Sequence, residues 1–534
     1  MLYELLSATH PTYDSNTWDS YDALYRGGKF FRARISKFLL KNLQEPDINY
    51  AQRVKSAHYR SYAGSIVNYF ASQLMASPLT IRAIDEGADE INSSLVTAAP
   101  ETLEDPYYSK LKEDFDGVGT DLVDFARAAF RRVLVKQSVW LLGQLPSNDG
   151  VAPVNLQDWK DRDMGAVTFS MLEPECVLDW QHGDDGQLLW AITYQCCEDR
   201  KDITVQRGTK RMTWKVYGPE EVETFEYLLK PGDPPLQPDT PIPSTEKAKH
   251  GFTVVPLLRF AIADGLWLMN ILADSQIEHF RLSSALSWAI QKTCYAMPIF
   301  KTSTDKAPVM GAGYYMMIPQ GDDMIWSAPP SDPFDVVSKT IDTTKDEIYR
   351  VSQQLAQGVD NNAAAVGRSG ESKLADASAT EVVLKAYGAI VREIIERAFD
   401  LAANGRQDND LTFAIEGLEK FNLEDADVVV KNAVTAVSVG IPSPTFKKEL
   451  FAQTAEALLP GLDQVKKDMI RNEIDSGVDQ QLKEADEAKK ALADAMANPQ
   501  PVAPGQPTGA VPPPTGATAK PTPNAPPAPN QKAA

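Results

Sequence analysis

A heptad repeat of apolar residues between positions 334 and 357 constrains the fold more than any other feature of the sequence. Its members alternate strictly between spacings of four and three residues, the period with which one helix packs along another. The sequence therefore predicts a helix over 334–357 that is suited to packing against another helix. The series consists of Val337, Ile341, Thr344, Ile348, Val351 and Leu355.

The neighbouring segments continue this helical pattern. A helix is predicted over 264–292, followed by a small unit of short strands and turns over 293–333. A third helix is predicted over 371–405, with Gly405 as its C-terminal cap. The intervening stretch "QGVDNNAAAVGRSGE" contains almost no large apolar side chain. This composition predicts a poorly packed loop between these two helices.

Upstream of these helices the period of the pattern changes. One helix is predicted over 47–78, stopped by Pro78, and another follows Thr120 as its N-cap. From about 165 to 260, short runs of β-forming residues are joined by Gly and Asp turns, and "FTVVPLLRF" closes this section as a further strand. These observations predict a mainly helical part followed by an antiparallel β part.

The C-terminal part is predicted to be helical and then disordered. A helical region begins with Ser443 as N-cap and Pro444 at the first helical position, and extends to about Ala497 with interruptions. Beyond it the chain is nearly all Pro, Ala, Gly, Thr, Gln and Asn. Such a tail cannot bury enough apolar surface to offset the entropy lost on ordering.

Charge and cysteine content disfavour several classes of protein. The 534 residues carry a formal net charge of −20, which disfavours a protein that grips nucleic acid through a basic face. Four cysteines, two of them adjacent at 196 and 197, predict neither a disulfide framework nor a CxxC metal site, and they indicate a reducing, cytosolic compartment. The N-terminal stretch lacks the pattern of a signal peptide, and no segment reaches the length of an apolar membrane span.

Motifs that carry catalytic chemistry are absent from the sequence. It contains no phosphate-binding loop, dinucleotide fingerprint, nucleophile elbow or zinc motif, and its five histidines are scattered singly. No enzyme activity and no cofactor are therefore expected. Asp184–Asp185 and Asp322–Asp323 both lie beside glycine and are predicted to occupy turns. Cys294 is predicted to be a buried thiol.

The stretch "YRGGKFFRARISKF", residues 25–38, is both basic and aromatic. Two interpretations are open. The first is a loop leading into an amphipathic helix with solvated arginines. The second is a contact surface for a partner or for phosphates.

The order of these elements resembles the portal proteins of tailed bacteriophages. The sequence "IYRVSQQLAQGVDNNAAAVGRSGESKLADASAT" is similar to that family's passage from a stem helix through a Gln-Gly-Val-Asp turn into the channel loop and the next long helix. The β hairpins and "PLLRFAIADGLW" are also similar. The resemblance covers roughly residues 20–495 and is most specific over 260–400.

The resemblance implies an α+β portal fold, with a helical N-terminal part, an antiparallel β wing, a two-helix stem, a small α/β clip, a long helix, a helical crown and a disordered tail. The implied ranges are 1–263 for the wing (helical over 1–145, antiparallel β over 146–263), 264–292 and 334–357 for the stem, 293–333 for the clip, 358–372 for the channel loop, 373–440 for the long helix and its return to the wing, 441–497 for the crown and 498–534 for the tail.

The resemblance also implies a function. Portal subunits form a homo-oligomeric ring, usually of twelve copies, at one capsid vertex, through which double-stranded DNA is packaged and ejected. The implied partners are further copies of the chain, the DNA, the terminase large subunit, head-completion or adaptor proteins, and major capsid and scaffolding proteins, without a membrane. Such a ring is assembled in the host cytoplasm and becomes part of the virion. An acidic conduit suits this role because it repels the DNA backbone, and salt limits that repulsion to about 8–10 Å.

Site residues are implied on the same basis. Those expected in the channel loop facing DNA are Asn361, Asn362, Arg368, Ser369 and Glu371, with hinges at Gly358, Gly367 and Gly370. The stem candidates facing DNA are Lys339 and Lys345, and the clip residues expected to dock partners are Asp322 and Asp323. Alternatives stay open: the lysines could form salt bridges with Asp335, Asp342 or Asp346, and the glycines could be plain helix caps. A different class, a soluble α/β enzyme of unknown type with 355–373 as an active-site lid, is the rival hypothesis.

Overall fold

A computed structural model shows an α+β protein in which every described strand pair is antiparallel. The structure describes residues 2–76, 79–85, 106–146, 164–198, 208–237, 240–293, 297–301, 323–327, 332–358, 370–408, 411–418, 426–438, 443–459 and 469–480, with a few single positions between 154 and 162 and between 466 and 490.

Helices and strands are numbered in chain order. The helices are α1 Leu2–Leu6, α2 Ser15–Arg26, α3 Gly28–Arg32, α4 Ile35–Phe38, α5 Asp47–Ser56, α6 Tyr62–Leu74, α7 Pro106–Glu113, α8 Leu122–Lys136, α9 Leu268–Thr293, α10 Asp332–Gly358, α11 Gly370–Arg406, α12 Ala426–Ser438 and α13 Pro444–Leu458. The strands are β1 Thr80–Asp85, β2 Ser138–Gln144, β3 Thr168–Leu172, β4 Val177–His182, β5 Leu188–Glu198, β6 Lys210–Tyr217, β7 Glu221–Leu229, β8 Ser244–Lys249, β9 Leu257–Ala261, β10 Met297–Lys301, β11 Asp323–Ser327 and β12 Leu411–Glu416.

Helix α11 lies at the centre of the helical body. Val383, Tyr387 and Val391 on this helix are fully buried. The ring of Phe130 from α8 meets the Tyr387 ring edge-on at 5.1 Å, and the Tyr387 hydroxyl donates to the carbonyl of Leu266 at 2.8 Å. Each buried side chain of this size contributes about 1.5–3 kcal/mol, so the core around α11 holds α6, α8 and α9 in place.

The β part is a five-stranded meander in the order β4-β5-β6-β7-β8, as the hairpin pattern predicts. One face packs on the three-stranded sheet β3-β2-β9, where Trp140 meets Trp180 at 5.0 Å, and α1 covers the other face through Leu6. The sequence predicts β9 as the last strand of the β part, but β9 pairs with β2. Strand β9 contributes to two hydrophobic cores. Phe260 packs in the core of the helical body, and Leu257 packs in the core between the two sheets.

The single helix predicted over 47–78 is wrong. The structure has two helices, α5 and α6, separated by extended backbone at Ala57. Within the break, Tyr59 stacks on Phe31 at 3.9 Å. Ser61 then caps α6, because its hydroxyl accepts the N–H of Gly64. Tertiary contacts therefore interrupt a segment whose apolar period continues.

Two predicted helix caps are also wrong. Asp121, and not Thr120, caps α8, since its carboxylate accepts the N–H of Asp124. Gly405 lies inside α11, where a Cβ would come within 2.6 Å of the Phe252 ring. The left-handed residue after the helix is Gln407, with φ of 63°. Gly405 therefore permits close packing and does not end the helix.

Other predicted elements are confirmed with small shifts. Helix α9 begins after a short 3₁₀ turn, Asp264–Leu266, and Ser443 caps α13 by accepting the N–H of Phe446. Asp184 and Asp185 lie in the turn between β4 and β5. The predicted tail, 498–534, and Cys294 lie outside the described residues.

Candidate functional site: the projecting helix pair and its junctions

Helices α9 and α10 form an antiparallel pair that leaves the body and returns to it. The N-terminal half of α9 is rooted in the body, where Leu268 and Leu272 are fully buried. The C-terminal half of α10 returns beside α6, with Ile348 buried and the Tyr349 ring 6.1 Å from the Tyr62 ring. Strands β10 and β11, which pair as a hairpin, lie in the sequence between the C-terminal end of α9 and the N-terminal end of α10.

The far halves of the two helices project from the body. Apart from Ser284, no side chain of α9 between 281 and 291 is buried, and none of α10 is buried between 333 and 343. Ile290 is 41% exposed and Val336 is 63% exposed. Among the described residues, nothing covers these two apolar side chains fully, and contact with a further surface would bury them.

Gln276 on α9 fixes the root of the pair to the start of α6. This side chain is fully buried. Its Oε1 accepts the N–H groups of Tyr62 at 2.9 Å and Ala63 at 3.0 Å, and its Nε2 donates to the carbonyl of Arg60 at 2.9 Å. The first N–H groups of a helix have no partner within the helix, so Gln276 satisfies two of those of α6. No local pattern in the sequence marks this residue, since its partners lie more than 200 positions away.

The two faces of α10 differ in exposure and charge. The heptad face packs against α9, which matches the predicted helix-on-helix packing, and also against α6; Thr344 and Ile348 are buried and Val351 is half-buried. The Thr344 hydroxyl donates to the carbonyl of Thr340 at 2.8 Å, which satisfies it within its own helix. The opposite face is exposed and charged. Its members are Asp335, Lys339, Asp342 and Asp346.

The two candidate lysines have different surroundings. Lys339 is exposed and Lys345 is half-buried, and among the described residues no carboxylate lies within 4 Å of either ammonium. The alternative ion pairs with aspartates of α10 are therefore not formed.

His279 of α9 has a pKa below its usual value. Burial lowers this pKa most, the nearby charges of Arg60 and Lys345 lower it further, and the charge of Asp342 raises it. The His279 imidazole is mainly neutral at pH 7 as a result.

The interval between α10 and α11 is shorter than the predicted loop, 358–372. Gly358 is the last residue of α10, Gly370 is the first of α11, and Glu371 follows within that helix. Helix formation thus extends into both ends of the segment, so two of the three glycines occupy helix termini. The roles of these residues stay predictions. The other candidates, Asn361, Asn362, Gly367, Arg368 and Ser369, lie outside the described residues.

The far hairpin carries one of the two predicted docking residues. Strands β10 and β11 pair from Met297 opposite Ser327 to Lys301 opposite Asp323. The predicted turn is wrong for Asp323, which begins β11 because its pairing with Lys301 extends the ladder. Asp322 lies outside the described residues.

The basic, aromatic stretch 25–38 forms α3 and α4. Phe31 and Phe38 are buried, and Asp19 of α2 pairs with both Arg34 at 2.5 Å and Lys37 at 2.9 Å. The buried phenylalanines and the paired Arg34 and Lys37 match the first interpretation, an amphipathic helix whose basic side chains lie on the protein surface. The pairing also explains why the pKa of the Asp19 carboxyl lies below its usual range, chiefly through its hydrogen bond from Arg34.

Two of the histidines have structural contacts within the β part. His10 stacks on Trp180 at 3.9 Å, and the His250 Nε2 lies 2.9 Å from the carbonyl oxygen of Gly218. Within the described ranges, no three His, Cys, Asp or Glu side chains are grouped so that they could hold a metal ion. Among those same residues, no helix combines the length and the apolar character that a bilayer crossing requires.

Comparison with known proteins does not identify a family. No family model matches the chain, and no curated protein matches it. Among solved structures, the chain is similar to one from the virion of a native gene transfer agent particle, at 12% identity and a TM-score of 0.38, over 78% of this chain and 97% of that chain. A chain from the neck of an empty gene transfer agent particle computed with C6 symmetry gives 12% identity and a TM-score of 0.38, over 80% and 98%. One from the neck of the native particle, computed with C12 symmetry, gives 12% and 0.37, over 78% and 97%.

Proposed function

We propose that the chain is a portal-type subunit, copies of which close into a ring whose central passage conducts double-stranded DNA into and out of a viral capsid. The projecting pair of α9 and α10 carries this proposal. Its far half exposes Ile290 and Val336, and it has no core of its own. In a ring, each pair stands between two neighbouring pairs, which cover such side chains by a repeated head-to-tail contact.

In this proposal α9 and α10 are the stem, residues 293–333 are the clip and residues 358–372 line the narrowest part of the passage. The wing, the long helix with its return, and the crown keep the ranges 1–263, 373–440 and 441–497. Lys339 and Lys345 are the stem candidates for contact with DNA phosphates, the kind of contact that positions a duplex without reading its sequence. The proposed partners are the terminase large subunit, head-completion proteins, and capsid and scaffolding proteins, in a virion.

The assembly state of the purified full-length chain tests this function. One chain has a mass of 58.7 kDa, so a ring of twelve copies has a mass of about 700 kDa. We expect light scattering to give a mass of several hundred kilodaltons and negative-stain microscopy to show a central hole. A chain that stays monomeric over a wide range of protein and salt concentration would exclude the proposal.

A second prediction concerns the clip. Substituting Asp322→Asn and Asp323→Asn together should weaken binding of the terminase large subunit to the ring about tenfold, since exposed ion pairs contribute roughly 0.2–1 kcal/mol each. Binding is measured by surface plasmon resonance on assembled rings at two salt concentrations. The difference between variant and wild type should shrink at the higher salt, because surface charges are screened.

The matched control for the clip is Asp184→Asn. Asp184 is an exposed aspartate in the turn between β4 and β5, so its loss changes the net charge without touching the clip. This variant should bind the motor as the wild type does. Equal affinity of the clip variant and the wild type contradicts the assignment of Asp322 and Asp323 to docking.

A further inference from the structure

Two basic side chains from distant parts of the chain pack on one indole, that of Trp180. This tryptophan is buried in β4. The imidazole of His10, from the segment between α1 and α2, stacks on the indole at 3.9 Å, and the guanidinium of Arg259, from β9, lies over it at 5.1 Å. The backbone N–H of His10 donates to the carbonyl of Leu178 at 2.8 Å, which fixes that segment to β4. The fold therefore brings His10 and Arg259 together at one ring.

Arg259 has no acceptor for its guanidinium. Its Nε is buried without a hydrogen-bond partner, and among the described residues no carboxylate pairs with it. Burial lowers the pKa of Arg259, and no neighbouring charge raises it. Arg132 of α8 is the contrast: burial acts to lower its pKa, but Glu173 and Asp22 bind it at 2.7 and 2.5 Å and raise that pKa above its usual value. Because a partly buried guanidinium without an acceptor is costly, Arg259 indicates an anion that the chain itself does not supply.

Two histidines add further donors beside this guanidinium. The Nδ1 of His10 accepts the backbone N–H of Thr12 at 3.2 Å and lies 2.8 Å from the Thr12 hydroxyl, which favours the tautomer with the proton on Nε2. His182 ends β4, two residues after Trp180, and its side chain is exposed. Among the described residues, neither the Nε2 of His10 nor the ring of His182 has a hydrogen-bond partner. These N–H groups are therefore free to donate to a ligand.

The charges around the indole act on one another. Burial lowers the pKa of His10 most, the charge of Asp179 raises it, and those of Arg259 and His182 lower it. Burial also lowers the pKa of His182 most, and the charges of Arg259 and of Arg397 on α11 lower it further. Asp179, which contributes the negative charge, accepts the N–H of the residue after it at 2.9 Å. His10, His182 and Arg259 thus lie within electrostatic reach of one another, and the positive charges hold both imidazoles in the neutral form.

We propose that Arg259, His10 and His182 form a binding site for a phosphate group, which we call the Trp180 site. A guanidinium offers paired N–H groups that match the oxygens of a phosphate. The two histidines approach from other segments, so the donors lie in more directions than the two oxygens of a carboxylate occupy. Arg397 reaches Glu393 of its own helix only at 3.9 Å, so it adds positive charge beside His182. The site lies in the β part and does not depend on the proposed ring.

Calorimetric titration of the full-length chain with inorganic phosphate at low salt tests the site. The wild type should bind one phosphate per chain. Arg259→Met should bind at least tenfold more weakly, because it loses the charge-assisted hydrogen bonds while an apolar chain still covers Trp180. Phosphate should also raise the thermal midpoint of the wild type and not that of the variant. Arg127→Met removes the same charge from α8, where Arg127 is paired with Asp124, and should bind phosphate as the wild type does.

Titration with inorganic sulfate isolates the histidines, since the charge of sulfate is constant near neutral pH. Affinity for sulfate should rise severalfold from about pH 7.5 to about pH 5.5, because the bound anion favours protonated imidazoles. The charged groups that face them are Asp179 and Arg259 for His10, and Arg259 and Arg397 for His182. His10→Gln combined with His182→Gln should keep binding at about pH 7.5 and lose the rise at lower pH.

The outcomes distinguish the site from its alternatives. Absence of saturable phosphate binding by the wild type, or equal affinity of wild type and Arg259→Met, overturns the site. If short duplex DNA displaces the phosphate, the backbone of DNA is the source of the phosphate group; if it does not, the ligand is free phosphate, and both results support the site. Failure of the wild type to bind phosphate, combined with loss of assembly in Arg259→Met, overturns the site and assigns Arg259 to a carboxylate of a second copy. Unchanged circular dichroism of each variant verifies that the fold is intact.

Discussion

Deletion of residues 361–368 should leave the ring assembled and reduce DNA packaging to background. The deleted stretch, "NNAAAVGR", contributes no large aromatic or long aliphatic side chain that would hold subunits together. In the proposed function it is the part of the passage nearest the duplex, where Asn361, Asn362 and Arg368 supply the polar contacts. Packaging is measured as nuclease-protected DNA in heads assembled with the variant subunit, and ring assembly as mass by light scattering.

A length-matched variant separates the side chains from the reach of the segment. Replacing the eight residues by glycine and serine keeps the chain length between α10 and α11. It should assemble normally and retain about tenfold less DNA than the wild type, since it lacks the charged and amide groups. Normal packaging in both variants refutes the assignment of this segment to the channel. Loss of rings in both variants instead assigns it to subunit contact.

The rival hypothesis makes a different prediction for the same variants. If 355–373 were an active-site lid, the deletion would change the turnover of a small-molecule substrate, and it would have no connection with ring assembly or DNA packaging. The lid would have to cover an active site near α10, a cavity that carries titratable groups. The groove at the base of α10 is lined by Ser65, Ile66, Tyr69, Phe70, Tyr349, Ser352 and Thr380, and none of these lining residues is a carboxylate, a histidine or a cysteine.

The long periodic elements could be predicted from the sequence because their signal is local. The heptad repeat predicts 334–357 and the helix covers Asp332–Gly358, and the third helix predicted over 371–405 covers Gly370–Arg406. In each case many side chains repeat the same information, so one exceptional residue does not alter the result. The turn at Asp184 and Asp185 was equally predictable, because Gly186 adopts a positive φ without steric cost and the Asp185 carboxylate accepts the N–H of Gln187.

The residues that join distant segments could not be predicted in this way. Tyr59 breaks a periodic helix because it stacks on Phe31, and Gly405 lies mid-helix because Phe252 approaches it. Neither partner lies close enough in sequence to be recognised. Function at such places depends on tertiary contacts, which composition and period do not encode.

Substituting Gln276→Leu should loosen the attachment of the α9–α10 pair to the body. The substitution removes the acceptor for the N–H groups of Tyr62 and Ala63 and the donor to the carbonyl of Arg60. Each buried polar group left without a partner costs about 1–3 kcal/mol, and the additional apolar surface of leucine offsets only part of the sum. We expect local stability at the start of α6 to fall by on the order of 3 kcal/mol.

Hydrogen exchange measures this loss where it occurs. A fall of about 3 kcal/mol corresponds to roughly a hundredfold faster exchange of the amides of Tyr62 and Ala63, read by mass spectrometry of the peptide that contains them. Gln276→Glu should show a smaller effect, because a carboxylate still accepts both N–H groups at the helix N-terminus and loses only the donor to Arg60. Gln291→Leu makes the same chemical change at an exposed position of α9 and should leave exchange at α6 unchanged. If the amides of Tyr62 and Ala63 exchange at the wild-type rate in Gln276→Leu, the α9–α10 pair is held to the body by the apolar contacts of Leu268 and Leu272 and not by the buried amide.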